Sequence, residues 1–165
     1  MRQLLWRFDT PDAVQGWTAI DDRVMGGVSR SRLRADAAGH AVFEGEVSLE
    51  RNGGFASVRS PSGWPGRAGA QACLIEVRGD PAIYKLSLFT EGAFDAVAYQ
   101  AEFTPTPERW TIITLPIAGF QPRFRGRDVP GAPPLDPALV RQVGLMIASR
   151  QAGPFALGVR SIALA

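Results

Sequence analysis

The chain is short of the residues on which most catalytic and metal-dependent proteins rely. Among 165 residues there is one cysteine, one histidine and one lysine. Cys73 has no partner for an internal disulfide, and its neighbours Ala72, Leu74 and Ile75 mark a buried thiol, so a disulfide framework is excluded and a reducing compartment fits. Any Ser-His-Asp or Cys-His site would have to be built on His40, which follows Gly39 in a turn and reads as a solvated residue. Without a His/Cys cluster no zinc or iron site is expected, and no acidic loop is dense enough for calcium. No cofactor is implied. Gly26-Gly27-Val28-Ser29 is neither a nucleophile elbow nor a phosphate loop, lacking the glycine spacing of the first and the Gly-Lys-Ser/Thr of the second.

Long hydrophobic runs are absent too. Leu4-Leu5-Trp6 is the only apolar run near the N-terminus, too short for a signal peptide or a membrane span of about 20 residues. The reading is a soluble, cytoplasmic protein without membrane insertion. Its basic residues are 17 arginines against Lys85 alone, yet the net charge of +2 is too small to argue for nucleic acid.

What is present is turn-rich. Eighteen glycines and 13 prolines punctuate a chain that is 45% apolar, and no long amphipathic helix, repeat or linker interrupts it. Ala41 to Leu49 alternates most clearly: Ala41, Phe43, Gly45, Val47 and Leu49 face one way, Glu44, Glu46 and Ser48 the other. Leu4–Phe8, Val28–Arg34, Phe55–Ser60, Ala72–Arg78, Tyr84–Thr90, Val97–Thr104, Trp110–Ile117, Val143–Ala148 and Phe155–Leu164 read as further strands. Turn signals recur about every ten residues. Residues 119–137 read as a long irregular segment, with Asp136 capping one helical turn begun by Pro137. The pattern predicts one domain over residues 1–165, all-β and antiparallel, a two-sheet jelly-roll sandwich, with a closed barrel as the lesser alternative.

Two loops stand apart. Asp21-Asp22-Arg23-Val24-Met25-Gly26-Gly27-Val28-Ser29 and Asn52-Gly53-Gly54-Phe55-Ala56-Ser57 each set two glycines among polar residues, where positive φ or close backbone approach is used. Asp21 and Asp22 either form a site or accept bonds from nearby glycine amides. Glu44 and Glu46 share a wet face, as a carboxylate pair or as solvated residues. Arg30, Arg32 and Arg34 alternate on one strand, and Arg123, Arg125 and Arg127 alternate in the long segment; they offer an anion-binding surface or a plain charged face. Trp17 and Phe55 read as core, Trp64 as a surface aromatic.

These loops, with Phe43-Glu44-Gly45, Val47-Ser48-Leu49-Glu50, Val58-Arg59, Trp110, Phe120, Arg125-Gly126-Arg127 and Gly153-Pro154-Phe155, resemble the NADH:ubiquinone oxidoreductase complex I intermediate-associated protein family. The resemblance covers essentially the whole chain. It implies a galactose-binding-like β-sandwich and a chaperone-like role in assembling a respiratory or other multi-subunit complex, with a protein client for which complex I subunits are the candidates, and no catalytic set. The matching positions Asp21, Asp22, Arg23, Met25, Gly26, Gly27, Ser29, Asn52, Gly53, Gly54, Arg59, Arg125 and Arg127, together with Trp64, are the candidate binding residues. A carbohydrate-binding module is the alternative, and an enzyme using Asp21, Asp22 or the Glu44/Glu46 pair a third.

Overall fold

The computed structural model describes residues 3–22, 26–63, 66–91 and 97–165. Among the described residues, thirteen strands form two antiparallel sheets. The first contains β1 (Gln3–Arg7), β3 (Arg30–Asp36), β4 (His40–Val47), β6 (Ala72–Gly79), β9 (Thr111–Pro116) and β13 (Gly153–Leu164). Its order is β3-β4-β13-β6-β9. β13 is long enough to pair with β4 through its first half and with β1 through its second, and its register with β6 shifts between Val159 and Ser161. The second sheet runs β11-β10-β8-β7-β12-β5-β2. Its members are β2 (Thr18–Ala19), β5 (Ala56–Arg59), β7 (Tyr84–Phe89), β8 (Ala98–Phe103), β10 (Gln121–Phe124), β11 (Arg127–Asp128) and β12 (Gln142–Ile147).

The expected all-β, two-sheet architecture is what the chain adopts. Period-two alternation puts Phe43, Ile75, Leu157 and Ile162 of the first sheet against Leu86, Leu88, Leu145 and Ile147 of the second, all nearly or fully inaccessible. Aromatic rings join the sheets: Tyr84 lies 6.3 Å from both Phe43 and Phe155. Cys73 is buried, as expected, and burial pushes its thiol up to about 12. The helical turn at Pro137–Leu139 is a 3-10 turn, and Asp136 caps it by accepting a bond from the Ala138 amide.

Two expectations need correction. Residues 119–137 are not irregular throughout, because β10 and β11 form a hairpin there. His40 is not a solvated turn residue. It begins β4, its side chain is 10% exposed, and its ring meets Trp110 edge-on at 5.0 Å.

The Tyr84 hydroxyl has no hydrogen-bond partner among the described residues, although the residue is fully buried. An unsatisfied buried hydroxyl costs about 1–3 kcal/mol. Tyr84→Phe is therefore expected to hold or raise stability, by up to about 1 kcal/mol in urea unfolding. A clear loss would show that the hydroxyl has a partner in solution.

Candidate functional site

The Asp21-Asp22 pair lies where the two sheets meet, and successive residues point to different partners. Asp22 is fully buried. Its Oδ1 accepts the Ser29 amide at 2.9 Å, and its Oδ2 accepts the Ser29 hydroxyl at 2.5 Å and the Gly54 amide at 2.8 Å, with the Phe55 amide at 3.4 Å. Ser29 in turn accepts the Ser48 amide at 2.8 Å. Asp21 does the same one residue earlier. Its Oδ1 accepts the Ser31 hydroxyl at 2.6 Å and the Ser57 amide at 3.0 Å, and its Oδ2 accepts the Ser31 amide at 3.1 Å. Ser57 also donates its hydroxyl to the Ile20 carbonyl, while Ile20 N–H returns a bond to the Ser57 carbonyl at 2.8 Å. Ser31 belongs to β3 and Ser57 to β5, so Asp21 stitches a strand of one sheet to a strand of the other, while Asp22 ties together the loops just before those strands.

The glycines make room for this. A Cβ on Gly27 would stand 2.5 Å from Asp22 Cγ and Oδ1, and one on Gly53 would stand 2.5 Å from Asp22 Oδ2 and from the Ser48 carbonyl. Gly26, at φ +89°, turns the chain back toward Ser29. Asp22 does accept a glycine amide, but it is that of Gly54 in the second loop; of the nearby pair, Gly27 donates its amide to the Asp22 backbone carbonyl at 2.9 Å. Ser31, Ser48 and Ser57 were not singled out by sequence; the only hint is that Ser29 and Ser31 share one face of an alternating stretch.

The two carboxyls differ electrostatically. Burial raises the Asp21 carboxyl above the usual range, the Ser31 and Ser57 bonds pull it back only in part, and the Asp22 charge adds to the rise. Burial acts on Asp22 in the same direction, but bonds from Ser29, Gly54 and Phe55 outweigh it and hold that carboxyl below the usual range.

Other predicted residues lie elsewhere. The arginine stripe of β3 faces out, and Glu44 occupies its centre. It accepts Arg32 Nη2 at 2.7 Å and Arg34 Nε at 3.0 Å, while Arg34 also reaches Asp36 at 3.0 Å. Burial would raise the Glu44 carboxyl, and the two guanidiniums outweigh it, so it stays ionised. Arg59 is half-buried on the outer face of the second sheet, its guanidinium 4.1 Å from the Phe89 ring centre. Arg23, Met25 and Trp64 lie outside the described residues, as does the Asn52 side chain.

Arg125 and Arg127 are exposed on the β10–β11 hairpin. Phe124 pairs with Arg127, and Arg125-Gly126 makes the two-residue turn with φ of 51° and 78°, the positive pair a tight hairpin requires. Arg123 anchors the base by pairing with Asp128 at 3.1 Å, and exposed Phe124 carries the Arg125 guanidinium 5.3 Å from its ring centre. Beside the hairpin is a cavity of about 260 Å³ walled by Lys85, Gln100, Glu102, Gln121 and Arg123. No aromatic residue lines it. Sequence did not point to it, because its walls come from β7, β8 and β10 of one sheet and from Leu115 and Pro116 of β9 in the other, which only the fold brings together.

No helix among the described residues is long and apolar enough to cross a membrane. In comparisons with solved structures, the fold is similar to the family 11 carbohydrate-binding module of the cellulosomal cellulase Lic26A-Cel5E of Clostridium thermocellum. The TM-score is 0.69 at 15% identity, covering 99% of this chain and 94% of that one. A family 29 carbohydrate-binding module gives a TM-score of 0.57 at 9% identity, over 100% of this chain and 91% of that one. At such identities the likeness shows the sandwich fold alone.

Sequence relatives are more specific. The chain is 27% identical to the mitochondrial complex I intermediate-associated protein 30 of Drosophila melanogaster, over 98% of its own length and 62% of that protein's. An uncharacterized protein of Schizosaccharomyces pombe is 29% identical, over 90% of this chain and 77% of the relative. The family model described as complex I intermediate-associated protein 30 matches residues 6–159, and the chain belongs to that family.

Proposed function

We propose that this protein is a non-enzymatic binding module that holds a protein client during assembly of a respiratory, complex I-type or other multi-subunit complex. The observation that carries the reading is the family match across residues 6–159, whose name ties related chains to complex I intermediates. The geometry supports it in a second way. Asp21 and Asp22, the carboxylates most open to a catalytic interpretation, spend their acceptors on serine hydroxyls and backbone amides of the fold itself.

The client surface in this proposal is the β10–β11 hairpin. It combines an exposed aromatic with Arg125 and Arg127, side-chain types that carry binding energy at protein interfaces, on a rigid tight turn. The Asp21–Ser29 and Asn52–Arg59 segments belong to the proposal as the framework that sets loop shape. A cytoplasmic location goes with it.

Affinity capture of the tagged protein from host lysate and solubilised membranes, read by mass spectrometry, tests this. Complex I-type subunits are expected, and the double change Arg125→Ala, Arg127→Ala is expected to reduce their recovery about tenfold or more. Capture unchanged in that variant would move the surface elsewhere, and capture of no reproducible partner would remove the assembly reading. The carbohydrate alternative keeps one supporting feature, the cavity beside the hairpin, where Gln100, Glu102 and Gln121 offer polar groups among apolar walls. Binding of a β-glucan by calorimetry, lost on Gln100→Ala, would favour it.

A further inference from the structure

The outer face of the first sheet carries a second arrangement, away from the hairpin. Trp110, the residue before β9, lays its indole against β13. A Cβ on Gly158 of β13 would meet the Trp110 ring at 3.0 Å, so the glycine is what lets the indole lie against the sheet. The Arg160 guanidinium is 4.1 Å from the ring centre and that of Arg78 is 4.8 Å from it. His40 meets the same indole edge-on. Two cations thus share one aromatic platform.

Their charges are unequally compensated. Arg160 is 3.5 Å from Glu76, a long contact through one terminal nitrogen. Arg78 has no carboxylate within 4.0 Å among the described residues. By contrast, the neighbouring Arg32 and Arg34 are taken up by Glu44 and Asp36. The field is felt locally: burial lowers the His40 pKa, Asp36 opposes this, and Arg78, Arg160 and Arg34 lower it further.

We infer that the Arg78–Trp110–Arg160 platform on the outer face of the first sheet binds an acidic segment of a partner protein. One carboxylate would bridge the two guanidiniums, and the partner backbone or an apolar side chain would cover the indole. Stacking on Trp110 restricts both arginines before binding, so less side-chain freedom is lost when a carboxylate arrives. Tryptophan and arginine are the side chains that dominate protein interface energetics. The chain's net charge of only +2 argues for this local match over general polyanion attraction. The inference rests on the protein-binding reading but not on the hairpin.

The test uses a fluorescein-labelled octaglutamate peptide in fluorescence polarisation. Arg78→Gln with Arg160→Gln is expected to weaken binding about tenfold or more. Arg141→Gln with Arg150→Gln removes the same charge from exposed positions elsewhere and is expected to change binding less than about twofold. Peptide saturation is also expected to raise the pKa of His40, the single histidine, followed by NMR, in the wild type and not in the Arg78/Arg160 variant. Unchanged circular dichroism and melting confirm that each variant is folded, and Arg160→Gln alone serves if the double variant is not. Equal weakening in the two double variants would overturn the platform. So would binding of single-stranded DNA of equal charge with the same dependence on Arg78 and Arg160, because the occupant would then be a nucleic acid. Loss of hairpin-dependent capture with this result intact would remove the hairpin proposal alone.

Discussion

Asp22→Asn should lower the unfolding free energy by about 2–4 kcal/mol, a large part of the roughly 5–15 kcal/mol that stabilises a domain of this size. The substitution keeps the shape and removes one acceptor oxygen. Asp22 receives only donors: Ser29 N–H at Oδ1, and Ser29 Oγ–H, Gly54 N–H and Phe55 N–H at Oδ2. Whichever way the amide is turned, its NH₂ faces a backbone N–H at this buried position, and the charge-assisted component of every remaining bond is lost. Asp21→Asn meets one such conflict, at Ser31 N–H, and removes a carboxyl whose ionised form the site already disfavours. A smaller loss, about 1–2 kcal/mol, is expected there.

The pH dependence separates the two further. Because the Asp22 pKa is depressed in the fold, its contribution is present above the unfolded value of about 3.9 and is lost as pH falls through the folded value. Because the Asp21 pKa is raised, its contribution is full below the unfolded value and is lost as pH rises through the folded one. Urea unfolding from pH 7 downward should therefore show the gap between wild type and Asp22→Asn narrowing, and the gap to Asp21→Asn widening. Gaps that move in the same direction would contradict the assignment of opposite shifts.

The strands were legible because their pattern is local. Ala41, Phe43 and Val47 alternate with Glu44 and Glu46, and a residue's face in a strand follows from its parity alone. The hairpin at residues 121–128 was not legible. Its strands are short, and the turn holds Arg125 at positive φ where Asn or Asp is the usual signal. His40 was misread for a different reason. Its covering residue, Trp110, is 70 positions away, and the pairing of β4, β13, β6 and β9 has to be known before the two can be placed together. The candidate loops lie between these cases. Their glycines announced special backbone, but the glycine amide that Asp22 accepts is that of Gly54 in the other loop, not one of the adjacent Gly26-Gly27 pair. What sequence could not supply was the direction of each aspartate: the bonds of Asp21 to Ser57 and of Asp22 to Gly54 span more than thirty residues and depend on how the sheets stack.

Gly27→Ala and Gly53→Ala should each destabilise by about 2–4 kcal/mol, but only the first should be relieved by shortening Asp22. The new methyl at position 27 would meet atoms of Asp22 and of nothing else at such short range: Cγ and Oδ1 at 2.5 Å and Cβ at 3.0 Å. At position 53 it would meet Asp22 Oδ2 at 2.5 Å but also the Ser48 carbonyl at 2.5 Å and the Glu50 carbonyl at 2.9 Å. Backbone oxygens of a packed turn cannot move aside as a truncated side chain can. In an Asp22→Ala background, where only the Asp22 Cβ at 3.0 Å still faces position 27, Gly27→Ala should cost about 1 kcal/mol or less, a coupling of about 1–3 kcal/mol, while Gly53→Ala should keep most of its effect. Urea unfolding of the three single and two double variants measures both couplings, with low temperature and a stabilising osmolyte to keep the double variants folded. Equal relief at the two positions would mean that the turn at residues 48–53 adapts its backbone. No relief at position 27 would mean that the Asp21–Ser29 loop, and not the Asp22 side chain, is what excludes a methyl there. The contrast matters for function because it decides whether the paired glycines are fixed by the buried carboxylate or by the shape of the loops, and only in the second case are they available to a client.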